Sequence, residues 1–148
     1  MIKIYLAHPF VSRVEIRKLE KKLQRRYKNI SFVNPFYTTG TFEVFRKEDK
    51  SDDKYYQKLL PLARRIVRKD INLIAGCDYI IAFVNGEISY GTIQEMVYAR
   101  VLGTKVILIC SNGQHNHPWL TYHSDIRLLN DKELIPILNQ IEQDAIHK

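Results

Sequence analysis

Six consecutive apolar residues, Tyr79-Ile80-Ile81-Ala82-Phe83-Val84, end at Asn85-Gly86, and a helical pattern starts soon after, near Gly91. A strand with no polar alternation is buried on both faces, as an inner strand of a parallel sheet is. Parallel neighbours need long crossover connections, so such a strand commits the chain to alternating strands and helices.

The rest of the chain reads that way. Residues 2–7 are mostly apolar and are broken by His8-Pro9-Phe10. Residues 12–27 have helical spacing, with Ile16, Leu19, Leu23 and Tyr27 on one stripe. Ser12 is the expected N-cap, and Glu15 completes a capping box. Residues 30–33 form a short strand, stopped by Asn34-Pro35. Residues 54–75 are helical, with a kink or restart at Pro61 and with Ala63, Ile66, Val67, Asp70 and Ile74 on one stripe. The helix from Gly91 runs to Leu102 and stops at Gly103. Residues 105–110 and 126–129 are strands, and residues 131–147 are a closing helix with Leu134, Ile137, Leu138 and Ile141 inward.

This order predicts one α/β domain over residues 1–148, a doubly wound, mostly parallel five-stranded sheet with helices on both faces. Two stretches show no period. Residues 36–53 are expected to be a mobile loop over a site, with a helical turn at residues 42–46. Residues 111–125 are expected to be a loop rich in His and aromatic residues.

Composition excludes several classes. Hydrophobic residues make up 45% of 148 residues, which fits a folded core. No apolar run approaches the ~20 residues of a membrane span, and the first residues are too short and strand-like for a signal peptide. An intracellular, cytoplasmic protein is expected. Cys77 and Cys110 form no CxxC pair and read as buried free thiols. The net charge is +7, and eight basic residues fall between Arg13 and Lys28. Such a face suits an anionic ligand or is simply solvated. Aromatic residues do not alternate with the basic ones, so a nucleic-acid platform is not expected.

Two carboxylates stand on core-side stripes. Glu95 is expected in the first turn of its helix and shares a face with Thr92, Met96 and Ala99. Asp70 lies on the stripe of the 54–75 helix. Either each is a partly exposed helix residue, with Glu95 complementing the positive helix end, or the pair is buried for use. In doubly wound folds the ligand sits at the carboxyl ends of the strands, where His8, Asn34 to Phe36, Asn85 to Gly91 and Ser111 onward fall. No dinucleotide fingerprint, P-loop or nucleophile elbow lies there. His115, His117 and His123 fit no standard zinc spacing. Two carboxylates around one bond are the apparatus of glycosidic cleavage, one attacking the anomeric carbon and the other serving the leaving atom.

Four segments together resemble the nucleoside 2-deoxyribosyltransferase family: Ile4 to Phe10, Lys69 to Asp78, Ser89-x-Gly91-Thr92-x-x-Glu95-x-x-x-Ala99, and Gly103 to Ile107. The resemblance implies a flavodoxin-like fold and an oligomer, at least a homodimer, whose partner completes each site. It implies Glu95 as the nucleophile that forms a glycosyl-enzyme intermediate, Asp70 as the residue assisting the departing base, and Tyr5 as the group positioning Glu95. Gly91 and Thr92 form the approach to the nucleophile.

Two departures bear on the substrate. The transferases usually carry Asp six residues before the nucleophile, to bind the sugar 5′-hydroxyl, and here that position is Ser89. A carboxylate repels a phosphate, whereas a hydroxyl can donate to one. The family's nucleoside 5′-monophosphate hydrolases are similar in having Ser there. Ser12 and Arg13 are candidates for further phosphate contacts, although the Gly-Gly-Arg loop of the best known such hydrolases is missing. His8 replaces the usual Gly and is expected to point into the pocket mouth. Phe36, Tyr37 and Phe42 are candidates to stack on the base, and Trp119, Tyr122 and His123 to reach a neighbouring subunit's site. The expected reaction is hydrolysis of a (2′-deoxy)nucleoside 5′-monophosphate, with no metal or organic cofactor. Base exchange by a transferase and nucleotide binding without turnover are the alternatives. A phosphoribohydrolase is set aside, because its Pro-Gly-Gly motif is absent.

Overall fold

The computed structural model describes residues 1–38, 53–86, 89–111 and 113–146. Five strands, β1 (Ile2–Ala7), β2 (Ile30–Val33), β3 (Tyr79–Phe83), β4 (Lys105–Ile109) and β5 (Ile126–Leu128), form one sheet in the order β2-β1-β3-β4-β5. Every pairing is parallel, with Tyr5 opposite Val33 on one side and Ile80 on the other. This is the flavodoxin-like doubly wound arrangement, with its strand order reversing between β1 and β3. The sheet is thus wholly parallel, where the sequence predicts mostly parallel.

Six helices occur among the described residues: α1 (Arg13–Arg26), α2 (Pro35–Thr38), α3 (Asp53–Ala75), α4 (Tyr90–Leu102), α5 (Pro118–Tyr122) and α6 (Leu134–Ile146). The period of two along each strand splits the core into two layers. Ile4, Leu6, Ile81, Phe83, Ile107 and Ile109 pack with Leu23 of α1 and Leu134 and Leu138 of α6. Tyr5, Ala7, Ile80, Ala82, Val106 and Leu108 pack on the other face with Ile74 of α3 and Met96 and Ala99 of α4. Each fully buried Ile or Leu contributes about 1.5–3 kcal/mol, so the two layers hold the strand ends at fixed positions. Cys77 and Cys110 are buried free thiols, as expected. No helix among the described residues is long and apolar enough to cross a membrane.

Three expectations need correction. Ser12 takes the expected N-cap position of α1 but does not cap it through its side chain. It closes a 3-10 turn over Phe10–Ser12 with helical backbone angles, φ −87° and ψ 0°, and its side chain makes no cap hydrogen bond. Residues 111–125 are not wholly irregular, because a 3-10 turn (Gln114–Asn116) and α5 lie within them. His117 caps α5 by accepting from Trp119 N, and Pro118 takes the first helical position, where its missing N–H costs nothing. Finally, Glu95 stands in the second turn of α4, since the helix starts at Tyr90. The stretch expected to be a loop begins as α2, while the turn proposed at residues 42–46 lies outside the described residues.

Candidate active site

Tyr5 projects from β1 toward α4, buried completely, and its hydroxyl donates to Glu95 Oε1 at 2.7 Å. The contact joins residues ninety apart in sequence. Position 5 falls on the α3/α4 face because it alternates with Ile4 and Leu6, which face α1. Burial first, then the negative charges of Glu95 and Asp70, hold the Tyr5 phenol far above its usual range, so it remains a donor. Glu95 is half-buried on the α4 face that also carries Thr92, Met96 and Ala99, all buried. The reading of Glu95 as an exposed helix-end residue is therefore set aside.

A cavity of about 210 Å³ opens between α3 and α4, and Asp70 and Glu95 are both in its wall. Val67, Ile71, Ile74, Tyr90, Gly91, Gln94 and Tyr98 complete the lining, so the two carboxylates are the charged groups in a largely apolar wall. Such surroundings disfavour ionisation. The Glu95 carboxyl is pushed up to about 8, by burial above all, with Asp70's charge adding. The Tyr5 hydrogen bond and the Lys69 ammonium act in the opposite direction. Burial raises Asp70 as well, and Lys69 opposes it. Lys69 Nζ lies 3.2 Å from Asp70 Oδ1, close enough for an ion pair. That buried oxygen otherwise has no hydrogen-bond partner among the described residues. Carboxylates pushed upward together suit a pair in which one group holds a proton while the other is ionised.

Ser89 is the N-cap of α4, its Oγ accepting from Thr92 N at 3.4 Å. The hydroxyl proton is not used by that bond and remains available to an acceptor. Thr92 Oγ1 is buried with no hydrogen-bond partner among the described residues. Gly91 lines the cavity beside Glu95, where a Cβ would come within 3.8 Å of Ser89 Oγ.

The other named residues form a second group on the α1 side of β1. His8 is buried at the end of β1. Its Nδ1 meets Pro9 O at 3.1 Å and its Nε2 meets Asn34 Oδ1 at 3.2 Å. Burial holds the imidazole below its usual value, against the raising effects of those two contacts and of Glu20. The period of two puts position 8 on the Ile4 and Leu6 face. Phe36 packs on His8 and Phe10, with centroids 4.9 and 5.7 Å away. Arg13 is half-buried, donates to Phe10 O at 3.0 Å and covers the Phe10 ring at 3.9 Å. Ser12 is half-buried beside it. None of His8, Ser12, Arg13 and Phe36 lines the Asp70–Glu95 cavity. Phe42 lies outside the described residues.

Two residues of this second group escaped the sequence reading. Asn34 is buried, accepts from Phe36 N and donates to Glu20 Oε2 at 2.8 Å, while Arg17 pairs with Glu20. Glu20 carried a usable signal, since it lies four residues after Ile16 and three before Leu23 on the apolar stripe. Asn34 carried none beyond its place at a strand end. The three histidines of residues 111–125 do not converge, and no grouping of three or more metal-ligating side chains occurs among the described residues. His117 and His123 instead engage Trp119, the latter in a parallel stack at 5.6 Å. Cys77 is pushed up to about 11 by burial and is a poor nucleophile.

Residues 4–135 match the family model described as nucleoside 2-deoxyribosyltransferase. No curated protein matches the chain in sequence. Among solved structures, the fold is similar to a 2-deoxyribosyltransferase from Bacillus psychrosaccharolyticus, with TM-score 0.59, 16% identity and 89% of each chain covered. It is similar to a conserved protein from Enterococcus faecalis V583, with TM-score 0.63, 18% identity and coverage of 95% of this chain and 98% of that one. It is also similar to the CMP N-glycosidase BcmB of Clostridium botulinum, with TM-score 0.53, 20% identity and coverage of 93% and 98%. At these identities the likeness is one of fold.

Proposed function

The chain belongs to the nucleoside 2-deoxyribosyltransferase family, and from that premise we propose that it cleaves the N-glycosidic bond of a (2′-deoxy)nucleoside 5′-monophosphate. The observation that carries the reading is the 2.7 Å bond from a buried Tyr5 to Glu95, with Asp70 in the wall of the same cavity. Glu95, ionised and held by Tyr5, attacks C1′ as the bond to the base breaks. The departing base keeps the bonding electrons and takes a proton from Asp70. Water then attacks C1′, gives its proton to Asp70 and releases Glu95. The products are free base and the sugar 5-phosphate.

Three observations support a phosphorylated substrate. Ser89 offers a hydroxyl donor where a carboxylate would repel, the helix N-terminus beside it carries a partial positive charge, and the chain is at +7. Ser12 and Arg13 remain candidates for phosphate, and Phe36 and His8 for the wall against which the base side of the substrate rests. The fold also hosts a protein named as a CMP N-glycosidase, BcmB.

The same reading includes a homo-oligomer. α4 is apolar almost all round, which is the pattern of a helix covered on every side. Tyr90 is 88% exposed and Val101 76% exposed, and the exposed Val67, Tyr90 and Tyr98 line the cavity. A second copy packed there would close the site from water.

The test is a product screen over nucleosides and their monophosphates, with and without a free acceptor base. Free base plus sugar phosphate is the expected result. A new nucleoside would instead establish base exchange. Turnover of unphosphorylated nucleosides alone would sink the argument from Ser89.

A further inference from the structure

Lys69 joins two groups of side chains that the sheet holds on opposite faces. Its Nζ donates to the carbonyl of Pro35 at 3.0 Å and lies 3.2 Å from Asp70 Oδ1. Pro35 is buried at the start of α2, the element that carries Phe36. The Lys69 and Asp70 side chains are 23% and 17% exposed. Sequence neighbours on a helix diverge by about 100°, so the ammonium reaches Asp70 only by folding across its own helix toward the sheet edge. Ordering a lysine side chain this way costs up to about 2 kcal/mol of rotamer freedom, which a surface lysine avoids by extending into water. The carbonyl and the carboxylate together offset that cost.

We propose that Lys69 is a positioning residue of the site, one that fixes the Asp70 carboxyl and docks α2, with Phe36, against α3. The two groups described above are then mechanically joined, one end of the bridge on the carboxylate and the other on the aromatic segment. The ammonium also acts against burial at Asp70 and, as a smaller influence, at Glu95. Among the described residues, the titratable groups that face this pair are Tyr5 from β1, Glu95 from α4, and Lys69 itself, with Cys77 acting on Tyr5 from beyond the end of α3.

The inference rests on the roles proposed for Asp70 and Glu95, so its test includes a readout that needs no turnover. Carboxyl-carbon NMR titration of the unliganded protein follows Asp70 and Glu95 directly. In Lys69→Met the Asp70 midpoint is expected to rise by at least about half a pH unit, and Lys69→Arg is expected to restore it. With substrate, Lys69→Met is expected to lower kcat about tenfold and raise KM about threefold, since both the carboxyl and α2 lose their tie. Lys69→Gln keeps a donor for Pro35 without the charge, and should shift the midpoint while leaving KM within about twofold of wild type. It also carries the test if the Met variant does not fold. An unshifted Asp70 midpoint in a folded Met or Gln variant overturns the proposal. A shifted midpoint in a protein that cleaves no nucleotide upholds Lys69 and sinks the glycosidase reading instead.

Discussion

Tyr5 Oη and Glu95 Oε1 are 2.7 Å apart, and they bring the middle of the first strand to the second turn of α4. The phenol is held as a donor by its burial, so the bond favours the ionised carboxylate that a nucleophile requires.

The pH dependence of kcat/KM follows from this pair. Glu95 is pushed up to about 8 in the free protein, so activity should climb as Glu95 ionises and fall again as Asp70 loses the proton that the departing base takes, a bell rather than a plateau. Tyr5→Phe removes a contact that lowers Glu95, and its limb should move to higher pH, with kcat down about 10–100-fold. A pH–rate series on both proteins checks the direction. A limb that moves downward in Tyr5→Phe would contradict the assignment.

Stability carries the opposite sign. Glu95 binds its proton more tightly when folded than when unfolded, so stability falls as pH rises from the ordinary carboxyl range to about 8. Glu95→Gln removes that loss. It should raise Tm by about 3 °C or more at pH 8 and hardly at all near pH 4.5, while cutting kcat by about 10³-fold or more. Thermal melts at the two pH values read the difference.

Asp70 is tested through the leaving group. Asp70→Asn should cost about 10²–10⁴-fold on ordinary substrates, which need a proton on the departing base. On a nucleotide whose base is already cationic, such as a 7-methylated purine, the loss should shrink to within about tenfold. Asp70 also raises Glu95, so the acidic limb should move to lower pH in the variant.

Much of the frame was legible without coordinates. The strands are mostly apolar runs, and their limits agree with the sequence reading to within a residue. Asp70 and Glu95 were legible because a charge on an apolar stripe has no bland place in a core. The contacts of His8 with Pro9 and Asn34 were hidden, because a histidine at a strand end carries no signal for its partners. The Ser12 cap failed because the chain enters α1 through a 3-10 turn, which leaves Ser12 helical and its hydroxyl misaimed. Asn34 and Lys69 escaped because each acts through contacts far away in sequence, at separations of 26 residues to His8 and 34 to Pro35.

Ser89 separates phosphate recognition from chemistry. Ser89→Asp keeps a helix cap and introduces a negative charge, so monophosphate turnover should fall about 10–100-fold while nucleoside turnover holds or rises. Ser89→Ala should lose about 1 kcal/mol of stability through the cap and lower affinity for the monophosphate. Competition assays with nucleoside and nucleotide in one vessel read the ratio.

Val101→Asp places a charge on the exposed apolar side of α4, away from the cavity lining. If a second copy packs on that side, light scattering should show a smaller species and KM should rise. An unchanged mass with unchanged kinetics places the partner elsewhere.

The sheet order β2-β1-β3-β4-β5 has a consequence for biosynthesis. Of the five strands, the first to leave the ribosome is an interior one, and it waits for β3 to take its second neighbour. Tyr5 waits longer still, because its acceptor follows ninety residues later. A nascent chain therefore carries no assembled Tyr5–Glu95 pair until α4 has emerged and packed on the sheet. The buried phenol–carboxylate pair is a product of completed folding, and truncated or stalled chains lack it.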